Sequence, residues 1–462
     1  MIKMIIFIIL AGLALLLCSL AVADSKSVIV IENSFFKYEI GNNGRNIHFI
    51  DKKTGKDYCS SNTAFASIKK DGKEYSASNV TEINGNIYVT FGDSGISAVL
   101  KAKNMLNHTL LEVISINCEQ IDSLTFLNIP LTLTTDAKED FTATVMSLNL
   151  QTKVNDLPGP SSKLEAECFP RFGLSGAKVA IVACPTARMR GIMKLVVAAS
   201  QDLPHSNVGG PWAMDAMMNR ESYMLDWDGM TEATVDDWIR VAKKMGIRQF
   251  DFNAGIMLRY GDFIPKPELY PKGYESLKNV IDKLHAAGIK AGLHTYSCFV
   301  AKDSKYVSPV PDPRLAEDAT FTLAEPLSAD GQTVTVNEPT TDIKTTVGFF
   351  AANSVTIQID NELINYTGIS KTAPYTFTGC ERGAYGTKAT MHSTSAKVYH
   401  LKEMFFLFAP DHDSTMLAEI AHNTADVYNK CGFDMIYLDA IDGMYVLSGS
   451  DTWHYASEFV FE

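Results

Sequence analysis

The sequence lacks any closely spaced pair of cysteines. Its eight cysteines are scattered, and no C-x-x-C motif occurs. A zinc site built on paired thiolates is therefore not expected, and we predict neither a metal nor another cofactor. Cys18 lies in an apolar N-terminal stretch described below, and seven cysteines follow it. This odd set is typical of buried free thiols, with one or two disulfides as the open alternative.

Positive charge is also scarce. The 462 residues have a formal net charge of -12, which argues against a nucleic-acid partner. With 46% hydrophobic and 20% charged residues, the composition is that of an ordinary globular protein rather than a disordered chain or a repeat array. The length allows about three domains of roughly 150 residues.

No hydrophobic run is long enough to favour a membrane anchor. Lys3, an apolar stretch over residues 5–17 and small residues up to Ala23 form the pattern of a cleaved secretion signal. The stretch is short for a spanning helix of about 20 residues. Lipoprotein acylation at Cys18 is the less favoured alternative, because a bulky leucine precedes it. We expect removal of residues 1–23, a secreted or periplasmic location and no stable membrane insertion.

Residues 24–201 are predicted to form an N-terminal β-sandwich. Short apolar runs alternate with turns rich in glycine and asparagine, which is typical of sandwich strands. The predicted strands cover residues 28–32, 35–40, 47–50, 87–91, 96–101, 110–116 and 179–182.

After a linker near residues 203–211, the pattern changes to strands alternating with helices. This alternation predicts βαβ units in a parallel sheet, and hence a (β/α)8-type barrel. Residues 212–302 would contain the first three strands and residues 402–462 the fourth. The predicted strands are 221–225, 247–252, 289–293 and 433–438, and the predicted helices are 234–245, 273–287 and 414–430.

Only about four of the eight barrel units are visible. We therefore expect the sequence to be the N-terminal part of a longer protein or the product of a truncated gene, with an autonomous half-barrel as the alternative. Residues 303–401 interrupt the alternation with short β-type runs and dense glycine turns. They predict a small β domain inserted after the third barrel strand, where insertions cost little.

The ends of the predicted strands contain the candidate site residues. Residues 435–438 are all apolar and do not alternate with polar residues. This pattern predicts a strand that is buried on both faces and ends at Asp439. In a parallel barrel the carboxyl ends of the strands form the functional mouth. Asp439 is thus a candidate catalytic carboxylate, although an aspartate there could also cap a helix or open a turn. The other candidates at strand ends are Asp226, Trp227, Asp251, Asn253, His294 and Tyr296.

Three segments resemble a known family in their amino-acid sequence and in their order along the chain. They are YGDFIPKPELYPKG at 260–273, LHAAGIKAGL at 284–293 and GFDMIYLD at 432–439. Together they resemble the retaining α-glycosidases of the α-galactosidase (melibiase) type, glycoside hydrolase clan D, over about 230 residues. The resemblance implies a secreted hydrolase that cleaves α-glycosidic bonds of an oligo- or polysaccharide by double displacement.

The resemblance also implies roles for individual residues. Asp439 matches the family's nucleophile, and Asp251 matches an acid that binds sugar hydroxyls. Trp227 matches an aromatic residue of the sugar subsite, and His294 and Tyr296 lie at the strand end beside that subsite. Asp226 and Asn253 would bind sugar hydroxyls. The acid/base carboxylate would lie on a strand beyond Glu462.

Some residues depart from the family's pattern and leave alternatives open. Tyr437 replaces a lysine that the α-galactosidases usually have, and Phe252 and Asn253 replace an acid and a Gly-Trp pair, so galactose specificity does not follow. Trp227 could equally pack the barrel mouth, and His294 could be a hydrogen-bonded core residue. A non-catalytic carbohydrate-binding or surface protein on the same scaffold is the alternative function.

Overall fold

The chain folds into two units, Met1–Asp215 and Ala216–Glu462. The computed structural model describes residues 28–133, 140–154, 163–203 and 205–462. The predicted secretion signal at residues 1–23 lies outside the described residues. Within these ranges, no helix combines the length and the apolar character needed to span a membrane. The seven cysteines after Cys18 are free thiols, so the disulfides left open by the sequence are not formed.

Antiparallel strands build the first unit, and all seven strands predicted there are present. In the second of them, Phe36, Tyr38 and Ile40 are buried while the residues between them are less so, because only one strand face meets the core. The strands are β1 (Val28–Glu32), β2 (Phe36–Gly41), β3 (Asn46–Asp51), β4 (Ser67–Lys70), β5 (Lys73–Ile83), β6 (Asn86–Phe91), β7 (Ser97–Asn104), β8 (Thr109–Ile116), β9 (Ser123–Pro130), β10 (Thr142–Ser147), β11 (Thr152–Val154), β12 (Lys163–Cys168) and β13 (Lys178–Cys184).

The larger sheet of this unit is nearly closed, and the sandwich layout stays a prediction. Strands β1 to β3 form one small sheet, and the other ten form a single sheet in the order β10-β13-β8-β7-β6-β5-β4-β9-β12-β11. Strand β10, at one end of the sheet, lies beside β11 and β12 at the other end, so the sheet is nearly closed. A helix that the sequence analysis missed, α1 (Thr186–Ala199), packs Ile192 and Val196 against β13.

Four parallel strands form the sheet of the second unit, as predicted. They are β14 (Tyr223–Asp226), β15 (Gln249–Asn253), β16 (Lys290–Thr295) and β26 (Met435–Leu438), and they lie side by side in this order. The helices are α2 (Val235–Met245), α3 (Ala254–Met257), α4 (Tyr274–Ala286), α5 (Met416–Cys431), α6 (Tyr445–Ser448) and α7 (Thr452–Phe461). An eight-stranded barrel stays a prediction.

Helix boundaries follow from local chemistry. In α4, Leu277, Val280, Ile281 and Leu284 are buried at helical spacing. Helix α5 ends at Gly432, whose φ of 81° is a left-handed conformation that favours glycine.

The burial predicted for the fourth parallel strand was wrong. Strand β26 is not buried on both faces, because Ile436 and Tyr437 are both partly exposed. It is the edge strand of the four, and among the described residues it pairs only with β16.

Short strands fill the segment between β16 and α5, where an inserted β domain was predicted. They form two sheets, β17-β23-β19-β20 and β18-β22-β21, around a core of their own that includes Phe321, Ile357 and Phe377. A hairpin follows them. The strands are β17 (Glu317–Thr322), β18 (Thr333–Val336), β19 (Thr356–Ile359), β20 (Glu362–Asn365), β21 (Gly368–Ile369), β22 (Tyr375–Thr378), β23 (Lys397–Leu401), β24 (Glu403–Met404) and β25 (Leu407–Phe408).

Candidate active site

Strand register decides which side chains share a face of the parallel sheet. Asp251 on β15 pairs with Gly292 on β16. His294 pairs with Asn253 on one side and with Tyr437 on the other. Because side chains alternate along a strand, one face carries Asp251, Asn253, His294 and Tyr437. We refer to this face, defined by those four residues, as the site face.

Asp439 follows β26 directly and is fixed from three directions. Its Oδ2 lies 3.2 Å from Nε2 of His294, and its Oδ1 accepts the backbone N–H of Ala440 at 2.9 Å. Its own carbonyl accepts the Ser297 hydroxyl at 2.7 Å. The side chain is nevertheless about half exposed. The structure therefore presents an oriented carboxylate that a ligand can reach.

His294 connects this carboxylate to a group of aromatic rings. The imidazole is buried, and its ring centroid lies 5.1 Å from Tyr437, 5.6 Å from Tyr296 and 6.5 Å from Trp227. Its Nδ1 has no hydrogen-bond partner among the described residues. Donation from Nε2–H to Asp439 is the arrangement that this network favours. This hydrogen bond helps to fix the direction of the Asp439 carboxylate.

Two tyrosines and a tryptophan supply flat apolar surface near His294. Tyr296 stacks on Tyr260 with centroids 5.2 Å apart and rings within 3° of parallel. Trp227 is 56% exposed, so most of its ring is open to a ligand. Burial first, and then the negative charge of Asp439, raise the pKa of the Tyr296 hydroxyl, which therefore remains a hydrogen-bond donor at neutral pH.

Asp251 and Asn253 lie on the site face but already have protein partners. The Asp251 carboxylate is buried and accepts a 2.6 Å hydrogen bond from Nε2 of Gln249, while Asn253 accepts one from the Tyr260 hydroxyl at 3.3 Å. Burial raises the pKa of Asp251, and the Gln249 bond and His294 oppose this effect. A Cβ at Gly292 would collide with the Asp251 carboxylate, so any larger residue there would force this side chain to shift.

A cavity of about 360 Å³ opens along the same face, toward the start of the strands. Asp251, Gln249 and Tyr437 line it together with residues of the segment that precedes β14. Asp251 is thus reachable from this cavity even though it lies two residues before the end of β15.

Asp226 is not brought together with the other candidates. It pairs with Phe252, whose position on β15 alternates with the site-face residues. Its Oδ1 accepts the backbone N–H groups of Asp228 and Gly229, and its Oδ2 accepts that of Met230 at 2.9 Å. Both oxygens therefore stabilise the turn after β14, and the hydroxyl-binding role expected for Asp226 has no support in this geometry.

Sequence reasoning missed several residues that contact the site. Ser297 and Tyr260 lie in loops whose approach to the site depends on the fold. Phe349 and Phe405 come from the inserted segment and its hairpin, and both rings contact Tyr296. Only the position of Ser297, three residues after a strand-end histidine, could have suggested a role.

The described residues contain no group of three histidine, cysteine, aspartate or glutamate side chains arranged to bind a metal ion. The polar groups of the site are carboxylate, amide, imidazole and hydroxyl, and they are interleaved with aromatic rings. This combination can bind a polyhydroxylated ligand and present one carboxylate to it.

No protein-family model and no curated protein matches the chain. Solved structures to which the chain is similar include an α-N-acetylgalactosaminidase from Bifidobacterium bifidum in complex with GalNAc. It is 13% identical, with a TM-score of 0.42, over 89% of this chain and 70% of that one. An α-galactosidase from Lactobacillus brevis is 8% identical, with a TM-score of 0.41, over 94% and 67%. A GH36 α-galactosidase from Geobacillus stearothermophilus in complex with raffinose is 8% identical, with a TM-score of 0.45, over 94% and 70%. At this degree of likeness, a function has to be argued from the residues of the site.

Proposed function

We propose that the chain is a retaining α-glycoside hydrolase, with Asp439 as the nucleophile. One observation supports this most directly. The Asp439 carboxylate is half exposed at the carboxyl end of a parallel strand, and hydrogen bonds with His294 and Ala440 fix its direction. A nucleophilic carboxylate needs this combination of access and fixed orientation.

The proposed reaction proceeds in two displacements. An oxygen of Asp439 attacks the anomeric carbon of the sugar, the glycosidic C–O bond breaks, and a general acid protonates the leaving oxygen. Water then attacks the glycosyl ester, gives its proton to the same residue acting as base, and releases the sugar and the Asp439 carboxylate. In such an enzyme the general acid is a second aspartate or glutamate.

The neighbours of Asp439 suit the binding of a sugar. Trp227 and Tyr296 offer ring faces to the apolar face of a pyranose. Asn253 and Asp251 offer amide and carboxylate groups to its hydroxyls. His294 holds the nucleophile through Nε2 and is not required to change its protonation state during the reaction.

Covalent trapping tests the nucleophile directly. The protein would be incubated with a panel of 5-fluoro-α-glycosyl fluorides, digested and analysed by mass spectrometry. We expect one glycosyl adduct on the peptide that contains Asp439, and none in the Asp439→Asn variant. An adduct on another carboxylate would refute the assignment. Binding of sugars without hydrolysis or adduct would favour the non-catalytic carbohydrate-binding alternative.

Export is part of the proposal, because residues 1–23 have the pattern of a secretion signal. N-terminal sequencing of protein recovered from the periplasm or the medium should begin at Asp24. Recovery of the intact N-terminus in the cytoplasm would contradict this.

A further inference from the structure

Four phenylalanines from the inserted segment and the hairpin after it form a cluster beside the candidate active site. We call them the phenylalanine wall: Phe349, Phe350, Phe405 and Phe406. The first two precede β19, and the other two form the turn between β24 and β25.

Ring contacts connect the wall internally. Phe349 lies at its centre, with ring centroids 4.9 Å from Phe350, 5.3 Å from Phe405 and 5.9 Å from Phe406. The backbone N–H of Phe405 also donates to the carbonyl of Phe349 at 3.0 Å, which ties the two segments together. Phe405 is almost fully buried at the base, while Phe350 and Phe406 are 78% and 48% exposed at the rim.

The wall adjoins the proposed nucleophile. Its base ring, Phe405, lies 5.4 Å from the ring of Tyr296, and Tyr296 contacts His294, the hydrogen-bond partner of Asp439. A Cβ at Gly443, four residues after Asp439, would meet the Phe405 ring. The wall is therefore in direct contact with the segment that follows Asp439.

The turn that presents two of these rings is conformationally unfavourable for phenylalanine. Met404 pairs with Leu407, so Phe405 and Phe406 are the central residues of a two-residue turn, with φ of 56° and 61°. Hairpin turns with two left-handed residues favour Asn-Gly or Gly-Gly. A bulky side chain with left-handed backbone angles is therefore not explained by the stability of the turn, and it indicates a functional reason for the residue.

We propose that the phenylalanine wall binds an apolar aglycone, an aryl or alkyl group attached to the sugar held at Asp439. This deepens the proposed function and rests on it. Sugar units bind through ring faces accompanied by hydrogen-bonding groups, but phenylalanine has no polar atom to offer. Two exposed phenylalanine rings beside the candidate site instead suit a group that gains by leaving water.

Binding measurements separate this role from catalysis. Titration calorimetry in an Asp439→Asn background, which prevents turnover, would compare hexyl and methyl α-glycosides of galactose, N-acetylgalactosamine, glucose and xylose. For the sugar that binds, the hexyl glycoside should bind at least about tenfold tighter than the methyl glycoside, because its additional methylenes leave water.

The variant that tests the wall is the double substitution Phe350→Ser and Phe406→Gly. Both side chains are exposed, and glycine suits the left-handed position, so the fold is retained. The hexyl preference should fall to within about twofold while methyl-glycoside affinity is unchanged. Met391→Ser, which alters a side chain of the inserted segment that is 77% exposed, is the matched control and should keep the preference.

The outcomes distinguish the two proposals. Equal affinity for hexyl and methyl glycosides, no binding of any pair, or a preference that survives in the double variant would overturn the role of the wall, whatever the trapping experiment shows. A preference that the double variant loses, together with no adduct at Asp439, would keep the wall as a binding surface and refute the hydrolase.

Discussion

The Asp439→Asn substitution gives the sharpest test of the proposed chemistry, because it changes reactivity while leaving the local structure nearly intact. The amide oxygen can still accept the Ala440 N–H at the position of Oδ1. The amide nitrogen then faces Nε2 of His294, which can become the acceptor if the imidazole proton moves to Nδ1, an atom that has no other partner. The substitution therefore keeps a hydrogen bond between the two side chains but exchanges its donor and its acceptor.

The expected magnitudes differ widely between stability and rate. Loss of the negative charge from this half-exposed hydrogen bond should lower the free energy of unfolding by about 1 kcal/mol or less. This corresponds to a fall of about 2–4 °C in Tm for a unit of this size. An amide cannot form the glycosyl ester, so kcat should fall by more than about 10⁴. That factor corresponds to more than ~5.4 kcal/mol in the activation barrier.

The assay is a pair of rate measurements on the full-length protein with a panel of aryl α-glycosides, together with melting curves for each variant. Asp442→Asn is the matched control, because Asp442 is an exposed residue at the start of a one-turn 3-10 helix close to Asp439 in the chain. It should change kcat by no more than about threefold. Equal losses at both positions, or unchanged turnover in Asp439→Asn, would refute the reasoning.

Three further predictions concern other parts of the second unit. Gly292→Ala should lower the free energy of unfolding, measured in urea, by about 1–3 kcal/mol, because the new methyl group collides with Asp251. Trp227→Ala should raise KM about tenfold with little change in kcat or Tm, because an exposed stacking surface is lost. Glu362→Gln should lower the free energy of unfolding, measured in a thermal melt, by about 3–5 kcal/mol, because Glu362 forms a buried two-point ion pair with Arg382. Burial raises the pKa of Glu362, but hydrogen bonds led by Arg382 outweigh burial and leave the pKa lowered. Its stabilisation is thus complete above the unfolded pKa of about 4.3 and is lost as the pH falls through the lower folded value, which melts recorded from pH 7 to pH 3 would show.

Each of these predictions has a result that would contradict it. Wild-type stability in Gly292→Ala would mean that Asp251 has another position available. A large fall in kcat with unchanged KM in Trp227→Ala would mean that the ring stabilises the transition state rather than the bound substrate. Unchanged melting of the Glu362→Gln variant would mean that this ion pair does not stabilise the segment between β16 and α5.

The sequence was most informative where hydrophobic periodicity is local. The parallel strands and the helices between them follow from repeats such as Leu277, Val280, Ile281 and Leu284, which need no knowledge of distant residues. Candidate residues at strand ends could be named because parallel strands bring their carboxyl ends to one edge.

Register and distant contacts could not be derived in the same way. Asp226 and Trp227 are neighbours in the chain, and only the pairing of β14 with β15 shows that the Asp226 carboxylate belongs to a turn. The contacts of Phe405 with Tyr296 depend on how an inserted segment lies over the sheet. Helix α1 was missed because its many apolar residues are only weakly periodic and do not mark one face.

The long interval between β16 and β26 has a consequence for how the site forms during folding. His294 and Asp439 are 145 positions apart in sequence, so their contact is slow to form by chance. The inserted segment reduces that search, since pairing of Glu317 with Leu401 brings its two ends together once its own core has formed. Refolding experiments should therefore find the inserted strands protected from hydrogen exchange before β26. Substitutions that slow the folding of the insertion should delay the recovery of activity without changing its final level.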